Sequence, residues 1–364
     1  TLAAAKDAGF IVLKLQNEPT AAALAYYYDH DIQETHRCLV YDLGGGTFDV
    51  AILEKRSYNI DVICVAGDTQ LGGHDLDNLI LEYVCQQLKD RYGYDANHKP
   101  DDKRRLRNKC EKAKKKLSIS NEASITINGM IPNNVQVKIP LTRKEFEKMA
   151  DKFFHRTIDI LDNCLKDSGF SKTSIQEVIL CGGSTRIPKI QELVSNYFGG
   201  KRLNKFTNPE ECVAEGAALQ AAMLSTSTRQ HIEELKLVEV VPLSIGFDSH
   251  CGEMIFIIKR GSKLPASASH TYGTLENNQT SMAIGIYEGE RLDDRKNRHL
   301  DSLSINNITP APPRQVEVVF TLSIDTNGIL TAKAKEKLRN NSKELKVEYT
   351  TGSRSDHEIK NSLL

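Results

Sequence analysis

The sequence contains 364 residues, of which 40% are hydrophobic, so the chain is long enough to bury a core in each of two domains. Its 48 lysines and arginines balance 48 aspartates and glutamates, and this zero net charge argues against a global field that attracts nucleic acid or acidic membranes. No apolar run approaches the length of a membrane span. We therefore expect a globular protein without a nucleic-acid or membrane partner.

The eight cysteines are scattered along the chain, and no two of them form a Cys-x-x-Cys motif. Most lie within apolar runs, which is typical of reduced core thiols rather than of a disulfide framework or a zinc site. This usage predicts a reducing compartment, namely the cytoplasm, with the nucleus as a second location. The chain begins at Thr1 within a helix-like stretch, so we expect that a segment precedes it.

The first 30 residues predict a helix, a strand and a second helix. Residues 1–7 are rich in alanine, residues 11–15 form an apolar run typical of a strand, and residues 21–28 are good helix formers. Pro19 suits the first position of the second helix, which leaves Glu18 exposed at the end of the predicted strand.

The stretch Val40 to Val50 predicts a strand, a tight glycine turn and a second strand. Three successive glycines at 44–46 allow backbone N–H groups to point toward one anion, such as a phosphate. Asp42 and Asp49 stand at its two ends, and carboxylates are ligands that Mg²⁺ prefers. The motif is not a P-loop, because no Gly-Lys-Ser/Thr follows it. A glycine-rich turn with solvated acids is the alternative, which Thr47 and the flanking acids make less attractive.

Farther along, residues 60–66 predict a third strand and residues 76–88 a helix with one apolar face. A second helix, around residues 106–117, is strongly basic on its other faces. We consider three interpretations of these faces: a solvated surface, a nucleic-acid site, and a nucleoside contact in which lysines approach phosphates and Glu111 accepts from a ribose hydroxyl. The second lacks interleaved aromatic residues and net positive charge.

Residues 124–127 and 135–139 predict a strand pair, and a capping box at Thr142 and Glu145 predicts one long helix that ends near Gly169. A further alanine-rich helix is predicted over residues 210–224.

A buried strand over residues 177–180 leads into a second glycine loop at residues 182–184, followed by a helix. Backbone N–H groups and the positive end of that helix favour an anion. An ordinary strand-to-helix turn is the alternative. Two glycine loops in one domain fit a nucleotide clamped between lobes better than either loop does alone.

Residues 225–230 are polar and predict the start of a linker. The sequence beyond them changes character and predicts an all-β module of roughly 110 residues, consistent with a sandwich. Asp325 to Gly328 predicts a hairpin turn by its Asn-Gly pair. The predicted strands occupy residues 254–258, 316–320, 330–335 and 345–349.

Six motifs together closely resemble those of the 70-kDa heat-shock (DnaK-type) chaperones, and the likeness covers nearly the whole chain. These motifs are Asn17–Ala23, Asp42–Val50, Leu71–Gly73, Gly182–Lys189, Asn208–Pro209 and Tyr287–Arg291. The resemblance implies an α/β actin-like (ribonuclease-H-like) ATPase lobe followed by an all-β peptide-binding sandwich. On the family template, we expect a fragment that lacks most of the first ATPase lobe and most of the helical lid.

The implied domains are a remnant of the first nucleotide-binding lobe (1–30), the second lobe (31–231), an interdomain linker (232–241), the β-sandwich (242–352) and the start of a lid (353–364). The implied function is that of an ATP-dependent chaperone in protein folding and the stress response. Such a protein uses ATP/ADP and Mg²⁺ and binds exposed apolar segments of unfolded proteins. Its implied partners are J-domain co-chaperones and nucleotide exchange factors.

The resemblance also implies site residues. Asp42, Asp49 and Glu18 match the catalytic acids, and the first two match the acids near Mg²⁺. The nucleotide-contacting positions are Gly44, Gly45, Gly46, Thr47, Glu111, Lys114, Lys115, Ser118, Gly182, Gly183, Ser184 and Arg186. The peptide-contacting positions are Phe247, His250, Tyr272, Leu275, Met282 and Ile284.

Some positions depart from the family pattern. The glycine hairpin and catalytic lysine of the first lobe have no counterpart, so we expect this chain to hydrolyse ATP poorly. Lys115 stands where an arginine usually stacks on adenine, and an ammonium stacks less well than a guanidinium. The alternatives are a nucleotide-independent peptide-binding module with an inactive ATPase domain, and an actin-fold enzyme such as a sugar kinase, which leaves the β-module unexplained.

Overall fold

The computed structural model of the protein describes residues 2–30, 32, 34–96, 99–130, 136–204, 208–225 and 235–347. They fall into two compact units, each described here by itself: Gln16–Lys236, and Thr1–Leu15 together with Leu237–Leu364. The predicted start of a lid, at residues 353–364, lies outside the described residues, as do residues 226–230 of the predicted linker. The predicted domain boundaries stay predictions.

The unit Gln16–Lys236 contains a mixed sheet, which confirms the α/β class predicted for this part of the chain. The strands lie in the order β6 (Glu177–Cys181), β1 (His36–Leu43), β2 (Phe48–Arg56) and β3 (Asn59–Asp68), with β1 parallel to β6 and antiparallel to β2. A short strand, β7 (Lys236–Val238), begins where the Lys236 N–H donates to the Tyr58 carbonyl oxygen at 2.8 Å.

Strands β1 and β2 are buried almost throughout, because helices cover them. Their predicted hairpin is therefore confirmed as a structural element. Alternate residues Leu39, Tyr41 and Leu43 belong to the large apolar core of this unit. Successive side chains of a strand point to opposite faces, so Asp42 lies on the other face.

Seven helices of this unit, together with a strand pair, complete its described part. They are α2 (Glu18–Asp29), α3 (Gly73–Tyr92), α4 (Pro100–Ile119), β4 (Glu122–Ile127), β5 (Val137–Thr142), α5 (Arg143–Met149), α6 (Asp151–Ser168), α7 (Pro188–Tyr197) and α8 (Cys212–Leu224). The predicted capping box is confirmed, since the Glu145 N–H donates to Thr142 Oγ1 at 3.2 Å and the Thr142 N–H donates to Glu145 Oε2 at 2.8 Å.

Two predicted elements are wrong. Residues 11–15 form no strand: they have no ladder partner, and Ile11 is 89% exposed. The single helix predicted from Thr142 is two helices, α5 and α6, because the backbone at Ala150 (φ −93°, ψ 6°) leaves the helical region. Neither glycine nor proline marks that break in the sequence.

The other unit contains helix α1 (Leu2–Asp7) and two four-stranded sheets whose buried side chains form one apolar core. The predicted Asn-Gly turn is confirmed, because the Asp325 N–H donates to the Ile329 carbonyl oxygen and Gly328 has a φ of +75°. In order, the sheets are β12 (Arg298–Asn306), β11 (Ser281–Glu288), β8 (Ile245–Asp248), β9 (Met254–Ile258), and β10 (Ala266–Gly273), β13 (Glu317–Ile324), β14 (Leu330–Glu336), β15 (Ser342–Lys346).

Of the predicted strands, those at 254–258, 316–320 and 330–335 correspond to β9, β13 and β14. The fourth overlaps β15 but is shifted by three residues, and residues 348–349 lie outside the described part. Among the described residues, no helix has both the length and the apolar character needed to cross a membrane.

Helices α2 and α8 pack so closely that only glycine fits at residue 216. A Cβ atom there would lie 1.8 Å from the Ala21 carbonyl oxygen. We expect Gly216→Ala to lower the free energy of unfolding by about 2 kcal/mol or more, because overpacking forces the helices apart. At an unconstrained helical position the same change stabilises by about 1 kcal/mol. Denaturant unfolding measures the difference.

The matched control is Ala217→Ser, on an exposed position of the same helix, which should change stability little. A Gly216→Ala protein as stable as the parent would contradict the close packing of these helices.

Candidate functional site

Three carboxylates lie close together on one face of the sheet in the unit Gln16–Lys236. Asp42 and Asp49 are directly opposite each other across the β1–β2 pair. Glu18 lies in the first turn of α2 and is exposed, as predicted, but it stands at a helix start and not at a strand end. Its charge acts on both aspartates.

The pKa values of both aspartates lie far above their usual range. Burial raises the pKa of Asp42 to about 7, with repulsion from Glu18 and Asp49 as further causes. Burial also raises the pKa of Asp49 to about 6, and repulsion from Glu18 adds to it, while a hydrogen bond from Thr47 opposes it. The pair is therefore suited to receive a compensating cation.

The glycine turn between these aspartates exposes backbone donors. The Gly44 N–H donates to the Thr47 carbonyl oxygen at 3.1 Å and closes the turn. Gly45 and Gly46 are exposed, and within the described ranges their N–H groups donate to no protein acceptor. Such groups favour an anion.

A second glycine segment, which the sequence analysis treated only as a turn, braces this hairpin from behind. The Gly73 N–H donates to the Gly44 carbonyl oxygen at 3.0 Å, and the His74 N–H donates to that of Gly45 at 2.7 Å. A Cβ atom on Gly72 would lie 2.6 Å from both the Gly45 oxygen and the Gly46 nitrogen. Only glycine permits this approach.

The third glycine segment, at residues 182–184, meets the same hairpin. Gly182 has a φ of +81°, and a Cβ atom there would lie 2.3 Å from the Leu43 carbonyl oxygen. Ser184 Oγ donates to the Gly44 carbonyl oxygen at 2.9 Å. The structure thus brings together the two glycine loops that the sequence analysis singled out. Residues 183–186 form a 3₁₀ turn and α7 begins only at Pro188, so the expected helix end does not face the loop.

The predicted nucleoside-contacting residues of α4 share one exposed helical face. Glu111, Lys115 and Ser118 are separated by four and three residues, and Lys115 Nζ lies 2.7 Å from Glu111 Oε1. This pairing lowers the pKa of Glu111 and raises that of Lys115, and the charge of Glu210 also raises the latter.

Glu210 connects this helical face with the third glycine segment. Its Oε1 atom lies 3.4 Å from Arg186 Nε and would lie 3.1 Å from a Cβ atom on Gly183. Arg186 also donates through Nη2 to Asn208 Oδ1 at 3.2 Å. The predicted positions on α4 therefore lie near those at 183–186.

Lys114 differs from the other predicted nucleotide-contacting residues, because its side chain is buried. Its Nζ atom donates to the Gly73 carbonyl oxygen at 2.6 Å and lies 2.9 Å from Asp77 Oδ1. Burying this pair is tolerable because the charges are matched. The structure therefore gives Lys114 a role in holding the glycine segment at 72–73 against α4.

The predicted peptide-contacting residues lie in the other unit. Phe247 and Ile284 are buried in its core, while Tyr272 and Met282 are half-buried against that core. His250 and Leu275 are exposed in the turns that follow β8 and β10. The Phe247 and Tyr272 rings are 6.5 Å apart, so their edges contact.

Among the described residues, no group of three or more His, Cys, Asp or Glu side chains is arranged to hold a metal ion. Mg²⁺ usually keeps several waters and binds one or two carboxylates together with phosphate oxygens. The paired aspartates beside the free glycine N–H groups therefore fit a phosphate-bound Mg²⁺.

The family model of the Hsp70 protein matches residues 1–363. The chain belongs to the Hsp70 family. The heat shock 70 kDa protein of Neurospora crassa is 39% identical over 99% of this chain, and that of Penicillium citrinum is also 39% identical over 99%. The heat shock cognate 70 kDa protein 3 of Dictyostelium discoideum is 39% identical over 92%.

Family membership confirms the resemblance on which the site residues were chosen, although the residues themselves stay predictions. The chain spans 56% of the Neurospora relative, 72% of the Penicillium relative and 54% of the Dictyostelium relative. It thus covers about half the length of two of these three Hsp70 proteins.

The raised pKa values predict a pH dependence of stability in the absence of nucleotide and Mg²⁺. Between about pH 4 and pH 7, the folded state binds more protons at Asp42 than the unfolded state does, so stability falls as the pH rises. We expect Asp42→Asn to raise Tm at pH 8 and to change it little at pH 5. Each pKa unit corresponds to roughly 1.4 kcal/mol, so the gain at pH 8 amounts to a few kcal/mol.

Calorimetric unfolding at both pH values tests this expectation. Asp159→Asn, on an exposed position of α6, is the control and should give no pH-dependent difference. An equal effect of Asp42→Asn at both pH values would show that its carboxyl is not protonated in the folded protein at pH 5.

Proposed function

We propose that this chain is part of an ATP-dependent chaperone, in which the unit Gln16–Lys236 binds an adenine nucleotide with Mg²⁺. The observation that carries this proposal is the pair of exposed N–H groups of Gly45 and Gly46 beside the facing carboxylates of Asp42 and Asp49. Donors for phosphate oxygens and ligands for a cation thus occupy one hairpin. In an ordinary glycine turn, two such acids would be solvated instead of buried.

In this proposal, Asp42 and Asp49 hold Mg²⁺ directly or through its waters. The bound ion would neutralise charge on the transferred phosphoryl group. The elevated pKa of Asp42 makes its carboxylate a suitable acceptor for a proton from an attacking water. Glu18 adds negative charge beside both groups and thereby links the start of α2 to the presence of the cation.

The nucleoside is proposed to lie between α4 and the loop at residues 183–186. Glu111 accepts from a ribose hydroxyl, while Lys115 and Arg186 approach from the two sides. Lys115 is an ammonium and gives a weaker stacking contact with adenine than a guanidinium would. Binding at this position is therefore adjustable by a single substitution.

We expect Lys115→Ala to weaken the binding of Mg²⁺–ADP about tenfold, which corresponds to roughly 1.4 kcal/mol, because it removes a charged contact. Lys115→Arg should strengthen binding, because a planar guanidinium stacks on adenine. Isothermal titration calorimetry on the whole chain measures both changes.

Lys166→Ala is the matched control. Lys166 is also an exposed lysine, at 70% compared with 72% for Lys115, and it also pairs with an acid four residues earlier in its helix. It lies on α6 and should not affect binding. Equal effects of the two alanine variants would show that Lys115 does not contact the nucleotide.

We further propose that the two sheets of the other unit form a β-sandwich that binds extended apolar segments of unfolded proteins. Tyr272 and Met282 are half-buried at the edge of the core, and Leu275 is 57% exposed in the adjacent turn. A partly covered apolar edge beside an exposed leucine can receive one apolar side chain. Main-chain hydrogen bonds would hold the rest of the peptide.

We expect Leu275→Asp to weaken the binding of a fluorescent extended apolar peptide about tenfold, because a charge replaces an apolar contact. Leu338→Asp is the control, since Leu338 is also an exposed leucine of this unit, at 77%. Fluorescence anisotropy measures both affinities. Equal losses would place the peptide elsewhere.

The same titration with and without ATP tests nucleotide control. In the proposed chaperone, ATP changes the peptide affinity of the whole chain. Unchanged affinity, in a protein that binds ATP, would contradict control by nucleotide and favour a peptide-binding module that acts alone.

A further inference from the structure

Two buried thiols lie next to the Asp42 carboxyl. Cys181 is the last residue of β6, and Cys212 is the first residue of α8. Their Sγ atoms are 3.1 Å apart, and the two side chains are 1% and 0% exposed. The sequence gives no sign of this pair, because 30 residues separate two cysteines that sit in unrelated motifs.

The backbone around both cysteines is fixed by close contacts. The Gly182 N–H donates to the Pro209 carbonyl oxygen at 2.6 Å, which ties the end of β6 to the segment before α8. Gly216, one turn after Cys212, lies directly against the Ala21 carbonyl oxygen. The two thiols are therefore held facing each other. A disulfide has a sulfur–sulfur distance of about 2.05 Å, so an approach of about 1 Å would join them.

We propose that Cys181 and Cys212 form a reversible disulfide when the protein meets a hydroperoxide. One cysteine sulfur attacks a peroxide oxygen, the O–O bond breaks, and the leaving hydroxide takes a proton to give water and a sulfenic acid. The second sulfur then attacks the sulfenic sulfur, the S–O bond breaks, and a second water leaves. Two thiols are oxidised, and one hydrogen peroxide is reduced to two waters.

The location admits a small oxidant and a reductant. Hydrogen peroxide is close to water in size, and the residue after Cys181 begins a loop in which Gly183 is exposed. Reduction proceeds by thiol–disulfide exchange with an added dithiol, which becomes oxidised in turn. Cys251, which is exposed and lies in the other unit, cannot reach this pair by the contacts of its own turn.

The disulfide would change the surroundings of Asp42. Cys181 is the register partner of Asp42 on the neighbouring parallel strand, and its thiol donates a hydrogen bond to the Asp42 carboxyl. A disulfide has no S–H group, so oxidation removes this donor. The resulting loss of nucleotide affinity rests on the proposed function, whereas formation of the disulfide does not.

The test treats the whole chain carrying Cys251→Ser with hydrogen peroxide under native conditions. Free thiols are then alkylated, and the digested protein is mapped by mass spectrometry. We expect a Cys181–Cys212 cross-linked peptide that has lost two hydrogen atoms and disappears after treatment with a dithiol. The same oxidation in denaturant should give cross-links without this preference, because the thiols are no longer held together.

Cys181→Ala and Cys212→Ala should each abolish the cross-link, while Cys164→Ala, at another buried cysteine, should leave it intact. Circular dichroism on each variant shows whether it is folded. Oxidation of the folded parent to sulfinic acids without a cross-link, or a cross-link that persists in either alanine variant, would overturn the proposal.

A second measurement compares Mg²⁺–ADP affinity before and after oxidation of the Cys251→Ser protein. We expect at least a severalfold loss that a dithiol reverses and that Cys212→Ala does not show. Equal affinity in both states would refute the effect on Asp42. A reduced protein that binds no nucleotide would instead refute the proposed function, and the mapped cross-link would still decide the disulfide.

Discussion

The carbonyl oxygen of Gly44 connects three segments that are distant in sequence. It accepts hydrogen bonds from the Gly73 N–H at 3.0 Å and from Ser184 Oγ at 2.9 Å. Because this oxygen already has two partners, the turn cannot rotate without losing both bonds. The hairpin tip is thereby held with the Gly45 and Gly46 N–H groups facing outward. Every functional statement about the site depends on that orientation.

The same hairpin carries an electrostatic cost. Asp42, Asp49 and Glu18 repel one another, and burial of the first two makes their charged forms less favourable. The fold tolerates this because β1 and β2 are buried in a large apolar core. A site that a cation would stabilise is thus maintained by packing elsewhere in the unit, which is a common relation between functional sites and their scaffolds.

Local signals in the sequence predicted the local features of the structure. The hairpin at residues 40–50, the capping box at Thr142 and the turn at Asn327 each depend on residues close together in the chain. The strand predicted at 11–15 failed because a strand requires a partner, which local sequence cannot supply. Strands such as β10 escaped prediction because small and polar residues alternate in them. The break at Ala150 follows from tertiary packing, with no local marker.

The arrangement around Asp42 shows why sequence motifs locate a site but do not describe it. The motif places Asp42 at a strand end before glycine, and this much was predicted. Its other neighbours come from elsewhere: Glu18 from α2, Cys181 from the parallel strand β6, and Cys212 from the start of α8. A parallel strand necessarily comes from a distant part of the chain, since its connection must cross the sheet. The charge and hydrogen bonding of this carboxyl are therefore properties of the sheet topology, and any chemistry at Asp42 is coupled to the thiols beside it.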